Sequence, residues 1–250
     1  MIAIVTGASS GMGAEFCRVL DSRGYESIWV VARRADRLEE LAASLETPCK
    51  VIPADLSTVK GLDSLASELR SGQFRIGALV NCAGLGRFGT SWEVPRNDTR
   101  SMIDLNITAL TEITHLCIPF MERSSKIVEV CSASAYLPLE RLNVYSATKA
   151  YVRSYCNALR RELKPLGISV LEVSPGWVGT DFIALSKSGT EVPDRVFRHR
   201  VTAEDVVRTA MRDLDKGRKR SVCGAYNKLQ VFMCTHLPSV ASYVWGRSLR

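Results

Sequence analysis

The sequence predicts an α/β protein with one doubly wound, parallel, seven-stranded sheet and helices on both of its faces. Two observations carry this prediction. Short apolar and β-branched runs recur along the 250 residues, and amphipathic stretches separate them. Strands that are joined through helices pair in parallel by right-handed crossovers. The strand runs are almost wholly apolar, as expected when helices cover both sheet faces.

Each element has its own signal in the chain. The first strand is the apolar run Ile2–Thr6, which ends at a glycine. The later strands are similar short apolar runs, namely Ser27–Ala32, Cys49–Pro53, Ala78–Asn81, Lys126–Cys131, Ile168–Val173 and Arg220–Cys223. The amphipathic helices are expected to begin near Gly13, Ala35, Val59, Ser101, Val144 and Ala203.

Length and composition favour one large domain over residues 1–226, followed by an apolar and basic C-terminal extension over 227–250. Apolar residues make up 46% of the chain, enough for a sizeable core. Pro238 divides the extension into two short pieces, which could cap an apolar pocket, pack on the domain or a partner subunit, or lie on a membrane surface. No apolar run is long enough to predict a membrane-spanning helix.

Cysteine, histidine and charge patterns exclude several kinds of site. The 8 cysteines form no C-x-x-C pair and the 3 histidines do not cluster with them, so no metal site is predicted. Most cysteines lie in apolar surroundings and the chain begins directly on a strand, so we expect a reduced, cytoplasmic protein without a signal peptide. The net charge is +7, and basic residues are concentrated between Arg195 and Arg220. They predict either a solvated surface or a site for a phosphate-bearing or acidic partner, and no nucleic-acid recognition motif accompanies them.

A glycine-rich turn follows the first strand and predicts a dinucleotide site. The segment reads T-G-A-S-S-G-M-G at residues 6–13 and then opens a helix. Gly7 permits a tight turn, Gly11 lets the backbone approach a pyrophosphate, and Gly13 lets the helix pack on the sheet. The free N–H groups at the start of the helix then hold the phosphates.

The end of the second strand favours NADP(H) over NAD(H). An acidic residue there would bind the ribose 2′-hydroxyl and repel a 2′-phosphate, but this chain has Arg33 and Arg34. Guanidinium groups bind phosphate through paired, charge-assisted hydrogen bonds. Ser9 and Ser10 could donate to the same phosphate. The alternative is that the two arginines only flank the next helix.

Tyr145 and Lys149 are candidate acid/base residues, because four residues of spacing place them on one face of a helix. An ammonium beside a phenol favours the phenolate, so we expect Lys149 to lower the pKa of Tyr145. Ser132 supplies a hydroxyl that could hold a carbonyl oxygen against Tyr145. Many helices carry a tyrosine and a lysine at this spacing by chance. The pair therefore indicates a catalytic site only together with the glycine-rich turn at residues 6–13.

With these motifs in order, the chain resembles the single-domain branch of the short-chain dehydrogenase/reductase family, which has the Rossmann fold, over residues 1–224. One departure is Cys82, where the family more often has a second asparagine. The matching segments are T-G-A-S-S-G-M-G at 6–13, Asp55-Leu56-Ser57, Asn81-Cys82-Ala83-Gly84, Asn106, Ser132, Tyr145-Ser-Ala-Thr-Lys149 and Pro175-Gly176-Trp-Val-Gly-Thr180.

The resemblance implies a role for each matched position. The implied catalytic set is Asn106, Ser132, Tyr145 and Lys149, in which Asn106 bends its helix and holds a water beside Lys149. Helices that carry Asn106 and Tyr145 commonly form the family's dimer interface, which implies a homodimer or homotetramer. The implied cofactor-binding residues are Gly7, Ser9, Ser10, Gly11, Met12, Gly13, Arg33, Arg34, Asp55, Leu56, Asn81, Ala83, Gly84, Tyr145, Lys149, Pro175, Gly176, Val178 and Thr180.

Three segments beyond the catalytic strands are expected to form a substrate pocket: Leu85–Val94, Ser134–Asn143 and Trp177–Phe197. Their aromatic and leucine residues suggest an apolar substrate with one reactive carbonyl, although ordinary core packing explains each residue equally well. The predicted pocket residues are Ser134, Tyr136, Leu139, Leu142, Trp177 and Phe182.

The predicted function is an NADP(H)-dependent oxidoreductase that acts on CH–OH groups and interconverts a ketone and a secondary alcohol on a small apolar substrate, with a hydroxysteroid dehydrogenase as one form. The alternatives are a 3-oxoacyl-thioester reductase, a non-catalytic NADP(H)-binding sensor, and an epimerase or dehydratase of nucleotide sugars. The C-terminal extension resembles those of steroid- and lipid-type reductases, which argues against the thioester reductase, whereas the basic surface slightly favours it. The intact acid/base set argues against the sensor.

Overall fold

The protein was analysed as a computed structural model that describes residues 1–187 and 189–249. Ser188, inside the Trp177–Phe197 segment, and Arg250, at the end of the extension, lie outside the described residues. Seven parallel strands form one sheet in the order β3-β2-β1-β4-β5-β6-β7. The order reverses between β1 and β4, which is the arrangement of a doubly wound sheet. The predicted fold class is confirmed.

The strands are β1 (Ile2–Thr6), β2 (Ser27–Ala32), β3 (Cys49–Pro53), β4 (Ile76–Asn81), β5 (Met121–Val130), β6 (Ser169–Val173) and β7 (Arg220–Ser221). The helices are α1 (Gly11–Asp21), α2 (Ala35–Ala43), α3 (Val59–Arg70), α4 (Arg96–Ile103), α5 (Leu110–Cys117), α6 (Asn143–Leu163), α7 (Asp181–Ser186), α8 (Ala203–Asp215), α9 (Ala225–His236) and α10 (Pro238–Leu249). A π-helix at Asp104–Ala109 joins α4 to α5, and short 3₁₀ helices cover Ile118–Phe120, Ala133–Tyr136 and Asp194–Phe197.

β1 shows how the sheet is covered on both faces. All of its residues are buried. Ile2 and Ile4 belong to the core cluster that includes residues of α3, α5 and α6. Ala3 and Val5 belong to the cluster formed with α1, α2 and α8. Because successive side chains of a strand point to opposite faces, one apolar run supplies both cores.

Four strands differ from their predicted bounds. β4 begins at Ile76 rather than Ala78, and β6 begins at Ser169 rather than Ile168. β5 begins at Met121 rather than Lys126, because Met121 pairs with Ile76 while Lys126 pairs with Ala78. A register shift between Ile76 and Ala78 absorbs the additional residues of β5. β7 ends at Ser221 and is therefore shorter than the predicted strand.

The C-terminal extension folds as α9 and α10. Pro238 is the first residue of α10, a position at which the missing N–H of proline has no helical partner to lose. No helix among the described residues is long and apolar enough to cross a membrane.

A row of polar side chains crosses the otherwise apolar sheet. Asn81, Glu129 and Glu172 face one another on neighbouring strands and are buried. Glu129 Oε1 accepts hydrogen bonds from Asn81 Nδ2 at 3.1 Å and from Thr114 Oγ1 at 3.0 Å. Burial raises the pKa of Glu129 to about 8, so this carboxyl group keeps its proton at neutral pH.

The free energy of unfolding is expected to fall as pH rises from about 4.3, the ordinary glutamate pKa, to about 8. Over this window the unfolded chain has released the Glu129 proton while the folded protein still holds it. Glu129→Gln mimics the neutral acid, removes this slope, and should gain roughly 1–3 kcal/mol at the alkaline end. Urea unfolding at several pH values checks this, with the exposed Glu162→Gln as control. Parallel pH profiles for wild type and Glu129→Gln would contradict the assignment.

Candidate active site

A cavity of about 430 Å³ lies at the carboxyl ends of the strands, where open α/β sheets bind their ligands. Four predicted site residues do not line it: Gly13, Asn81, Asn106 and Tyr136. The predicted residues that do line it are Gly7, Ser9, Ser10, Gly11, Met12, Arg33, Arg34, Asp55, Leu56, Ala83, Gly84, Ser132, Ser134, Leu139, Leu142, Tyr145, Lys149, Pro175, Gly176, Trp177, Val178, Thr180 and Phe182.

The turn between β1 and α1 has the close backbone approaches of a phosphate cradle. Gly7 and Gly11 have φ angles of 68° and 54°, which glycine adopts without strain. A Cβ atom on Gly13 would lie 2.1 Å from the backbone oxygen of Gly7, so only glycine fits there. Gly13 therefore acts by packing the helix against the turn, which explains why it does not reach the cavity.

The donors around this turn fit a phosphorylated dinucleotide. Ser10 is the N-cap residue of α1, but its side chain makes no capping hydrogen bond. The first N–H groups of α1 are therefore free of a side-chain partner, and the helix dipole favours an anion at this point. Arg34 Nη2 donates to Ser9 Oγ at 3.2 Å, and Arg33 is exposed beside it. The donor set thus consists of backbone N–H groups, hydroxyls and two guanidinium groups.

Asp55 and Asn81, two of the predicted cofactor-binding residues, differ in where their side chains lie. Asp55 lines the cavity, and its Oδ1 accepts from the N–H and the hydroxyl of Ser57 at 3.1 and 2.7 Å. The side chain of Asn81 instead points into the sheet, where its Nδ2 donates to Thr114 Oγ1 at 2.9 Å and to Glu129. Asn81 therefore steadies the sheet, and its predicted part in cofactor binding is not supported by its position, since it does not line the cavity.

Ser132, Tyr145 and Lys149 lie together on the cavity wall. Lys149 Nζ donates to the backbone oxygen of Val130 at 2.8 Å and lies 5.8 Å from the centre of the Tyr145 ring. The Tyr145 ring packs against Phe182, with 5.5 Å between ring centres. An ammonium group has three N–H donors, so the bond to Val130 leaves two of them for other partners.

The prediction that the pKa of Tyr145 is lowered is wrong. Burial raises the pKa of Tyr145, and the Ser132 hydroxyl offsets only part of this rise. Burial also lowers the pKa of Lys149. Helical spacing placed the two residues on one face correctly. Burial of both groups nevertheless shifts their pKa values more than their mutual interaction does. Tyr145 is therefore held protonated, as a proton donor must be.

Asn106 lies behind this set, in the π-helix between α4 and α5. Its Oδ1 accepts from Leu85 N–H at 2.8 Å, and its Nδ2 donates to Leu85 O at 2.8 Å and to Thr148 Oγ1 at 3.0 Å. A Cβ atom on Gly84 would lie 3.4 Å from Asn106 Oδ1 and 3.5 Å from Lys149 Nζ. Asn106 therefore fixes the loop after β4 against α6. The bound water beside Lys149 stays a prediction.

The substrate-pocket prediction needs one correction. Tyr136 is buried outside the cavity, and its hydroxyl donates to Glu172. The guanidinium carbons of Arg153 and Arg220 lie 4.3 and 4.8 Å from its ring centre. This charged environment holds Tyr136 in the fold. By contrast, Ser134 lines the cavity and its buried Oγ has no hydrogen-bond partner among the described residues.

The Leu85–Val94 segment contributes less to the pocket than expected. Phe88 is buried, and its ring centre lies 5.8 Å from that of Trp177. Trp92 is 84% exposed and therefore lines no pocket.

The cavity wall also contains residues that the sequence analysis did not name. Leu185 comes from α7, inside the predicted Trp177–Phe197 segment, whereas Gln230 on α9 and Trp245 on α10 lie outside every predicted pocket segment. Trp245 Nε1 donates to the backbone oxygen of Glu140 at 3.1 Å, which ties α10 to the loop before α6. No local motif marks Gln230 and Trp245, because they reach the cavity only through the way α9 and α10 fold back on the domain.

The thiols near the site are not nucleophiles. Burial raises the pKa of Cys82 and of Cys131 to about 12, so both stay protonated and unreactive near neutral pH. Within residues 1–187 and 189–249, no group of His, Cys, Asp and Glu side chains is arranged to hold a metal ion.

This fold and site define an oxidoreductase that uses a nicotinamide dinucleotide on alcohol and carbonyl groups. The family model of the short chain dehydrogenases matches residues 1–190. The chain belongs to the short-chain dehydrogenase/reductase family, as the resemblance in its motifs predicts.

The chain is similar to curated members of the family with different substrates. It is 32% identical to serine 3-dehydrogenase from Rhizobium radiobacter over 82% of this chain and 84% of that protein. It is 30% identical to very-long-chain 3-oxoacyl-CoA reductase from Rattus norvegicus over 84% and 67% of the two chains. Its fold is similar to that of a short-chain dehydrogenase from Sphingobium yanoikuyae in complex with NADPH, with a TM-score of 0.79, 26% identity and coverage of 100% and 96%.

Proposed function

We propose that this protein is an NADP(H)-dependent ketone reductase, reversible as an alcohol dehydrogenase, for a small apolar substrate of the hydroxysteroid type. The observation that carries the proposal is the protonated, buried Tyr145 beside Ser132 and Lys149 on the wall of the cavity that also holds the phosphate cradle. A binding protein without catalysis has no need of an acid/base group at this position, which argues against a sensor.

The residues divide the reaction between them. When bound, the reduced dinucleotide supplies the hydride that the carbonyl carbon accepts. Ser132 donates a hydrogen bond to the carbonyl oxygen, and Tyr145 delivers its phenolic proton to that oxygen, which gives the alcohol. Lys149 has N–H donors free beyond its bond to Val130 and stabilises the phenolate that remains. In the oxidative direction the Tyr145 phenolate takes the proton back.

The cavity wall supports an apolar substrate body. Leucine and aromatic side chains surround the catalytic set, which suits a hydrocarbon skeleton with one reactive carbonyl; they are Leu139, Leu142, Phe182, Leu185 and Trp245. Ser134 and Gln230 add two polar groups to this wall, which favours a substrate with a further oxygen atom over a simple hydrocarbon ketone.

The proposal extends to cofactor, assembly and location. Arg33 and Arg34 beside the phosphate cradle favour NADP(H) over NAD(H). Exposed Ile103 on α4 and Tyr151 on α6 support a homodimer or homotetramer through these helices. The reduced cysteines support a cytoplasmic location.

A panel of carbonyl substrates tests the function. Loss of the absorbance of NADPH is followed with hydroxysteroid-type ketones, 3-oxoacyl thioesters, quinones and simple ketones. The proposal predicts the highest kcat/KM for a hydroxysteroid-type ketone. Highest activity on a thioester would favour the 3-oxoacyl-thioester reductase. NADPH binding with no turnover of any carbonyl would favour the sensor.

Removal of both guanidinium groups is expected to weaken NADPH selectively. In Arg33→Ser/Arg34→Ser the KM for NADPH should rise about 10- to 100-fold, because hydrogen bonds to charged groups are worth about 1.5–3 kcal/mol. The KM for NADH should change little, since NADH has no 2′-phosphate. Arg37→Ser is the matched control, because Arg37 is exposed on α2, lies outside the cavity and pairs with Glu40. Equal losses for both cofactors would contradict the assignment.

A further inference from the structure

The C-terminal hairpin, formed by α9 and α10 over residues 225–249, exposes a large apolar surface. On α9, Tyr226, Leu229 and Phe232 are spaced three residues apart and so share one face. Of the 14 large apolar residues that are exposed in the described chain, 7 belong to this hairpin: Tyr226, Leu229, Phe232, Leu237, Val240, Tyr243 and Val244. Exposed apolar patches of this kind mark interaction surfaces.

The opposite, inner side of the hairpin packs on the rest of the protein. Val231 and Cys234 are buried in the core, and Gln230 and Trp245 line the cavity. Helices that are apolar on both sides are expected to be covered on both sides. Within the described chain only the inner side is covered, so the outer side fits an external partner.

The charges around the outer face are positive. The sequence has no Asp or Glu from residue 225 to its end, whereas Lys228 and Arg247 on the hairpin are exposed. Arg198 and His199 are exposed next to it, and the His199 ring lies 3.9 Å from that of Tyr226. Two acids lie near the hairpin: Asp194 is paired with Lys187 at 3.2 Å, and Glu140 lies where Trp245 packs on the loop before α6. The patch is therefore an apolar face with a basic rim.

An anionic lipid surface fits this combination better than a second copy of the chain. A two-fold contact between copies would bring the same patch, with the same basic rim, against itself. Anionic headgroups attract Lys and Arg, while aromatic and leucine side chains enter the boundary between headgroups and acyl chains. Each helix has 12 residues, which is too short to span the hydrocarbon layer.

We propose that the outer face of the C-terminal hairpin docks on anionic membranes. Tyr226, Leu229 and Phe232 enter the interfacial layer, and Lys228 and Arg247 contact the headgroups. The inner face stays on the domain, where Arg195 Nε donates to Ser248 O at 3.0 Å. Docking therefore leaves the cavity wall in place and does not depend on the identity of the substrate.

Co-sedimentation of the full chain with lipid vesicles tests the proposal without any activity measurement. Vesicles of phosphatidylcholine with phosphatidylglycerol should sediment the protein, and vesicles of phosphatidylcholine alone should sediment much less. Raising the salt concentration should weaken the binding, since salt screens exposed charges. Lys228→Glu/Arg247→Glu should reduce binding to the anionic vesicles by about tenfold.

Two apolar variants test whether vesicle binding depends on the hairpin or on any exposed apolar side chain. Leu229→Ser/Phe232→Ser should lower the partition constant by about tenfold or more, because burial of each apolar side chain is lost. Leu166→Ser is the matched control: Leu166 is 54% exposed, close to Leu229 at 59% and Phe232 at 55%, but lies between α6 and β6. Circular dichroism and NADPH binding confirm that the variants fold.

Two results would overturn the proposal. The first is an absence of binding to both kinds of vesicle. The second is binding that Leu166→Ser weakens as much as the hairpin variant does. If vesicles do not bind and Leu229→Ser/Phe232→Ser lowers the mass measured by light scattering, a second copy covers the face instead.

Discussion

Tyr145→Phe is expected to lower turnover by roughly 10²- to 10⁴-fold, the contribution of a positioned acid/base group, while NADPH binding is retained. The substitution removes one hydroxyl and leaves a ring that still packs on Phe182. Burial keeps the phenol protonated, so in the wild type the hydroxyl is ready to donate to a ketone oxygen. Steady-state reduction kinetics and a fluorescence titration with NADPH measure the two properties separately.

Tyr155→Phe is the control for this prediction. Tyr155 lies on the same helix, where its ring stacks on Tyr151 with 6.0 Å between centres, and it does not line the cavity. Its loss should leave turnover within a few-fold of wild type. Unchanged turnover in Tyr145→Phe would show that Tyr145 is not the proton donor.

Gly13→Ala is expected to abolish cofactor binding, and with it activity, at accessible NADPH concentrations. The added methyl group would lie 2.1 Å from the backbone oxygen of Gly7. Neither backbone segment can move without opening the turn that presents the N–H groups of α1 to the phosphates. Isothermal titration with NADPH measures the loss, and thermal unfolding shows any additional loss of stability, for which overpacking typically costs about 1–3 kcal/mol.

Gly246→Ala is the control, because it shows whether replacement of any helical glycine by alanine weakens NADPH binding. Gly246 lies within α10, and the nearest side-chain atom to its added methyl group would be Glu140 Oε1 at 3.7 Å, an ordinary contact. NADPH affinity should be unchanged there. Wild-type affinity in Gly13→Ala would show that the cofactor does not use the turn after β1.

The features that were predictable from the sequence are those that local patterns encode. Gly7, Gly11 and Gly13 identify the cradle because the turn between one strand and the next helix needs those glycines. Tyr145 and Lys149 are brought together by helical spacing alone. The parallel pairing of the strands follows from apolar runs that alternate with helices, together with the handedness of the connections.

The errors concern properties that depend on distant parts of the chain. Tyr136 lies close to the catalytic segment in sequence, but Glu172 on β6 draws its hydroxyl away from the cavity. The pKa of Tyr145 depends on how completely the fold excludes water, which spacing does not reveal. Gln230 and Trp245 reach the cavity because α9 and α10 return to it, and no periodic pattern in the sequence signals that return.

Transfer of deuterium from NADPH labelled at the nicotinamide C4 to an apolar ketone tests the proposed function most directly. The alcohol is analysed by mass spectrometry after incubation with the wild-type protein, and Tyr145→Phe is run in parallel. The proposed function predicts one deuterium on the carbinol carbon with wild type and a much smaller yield with the variant. Bound NADPH that transfers no deuterium to any carbonyl substrate, or equal yields from the two proteins, would contradict it.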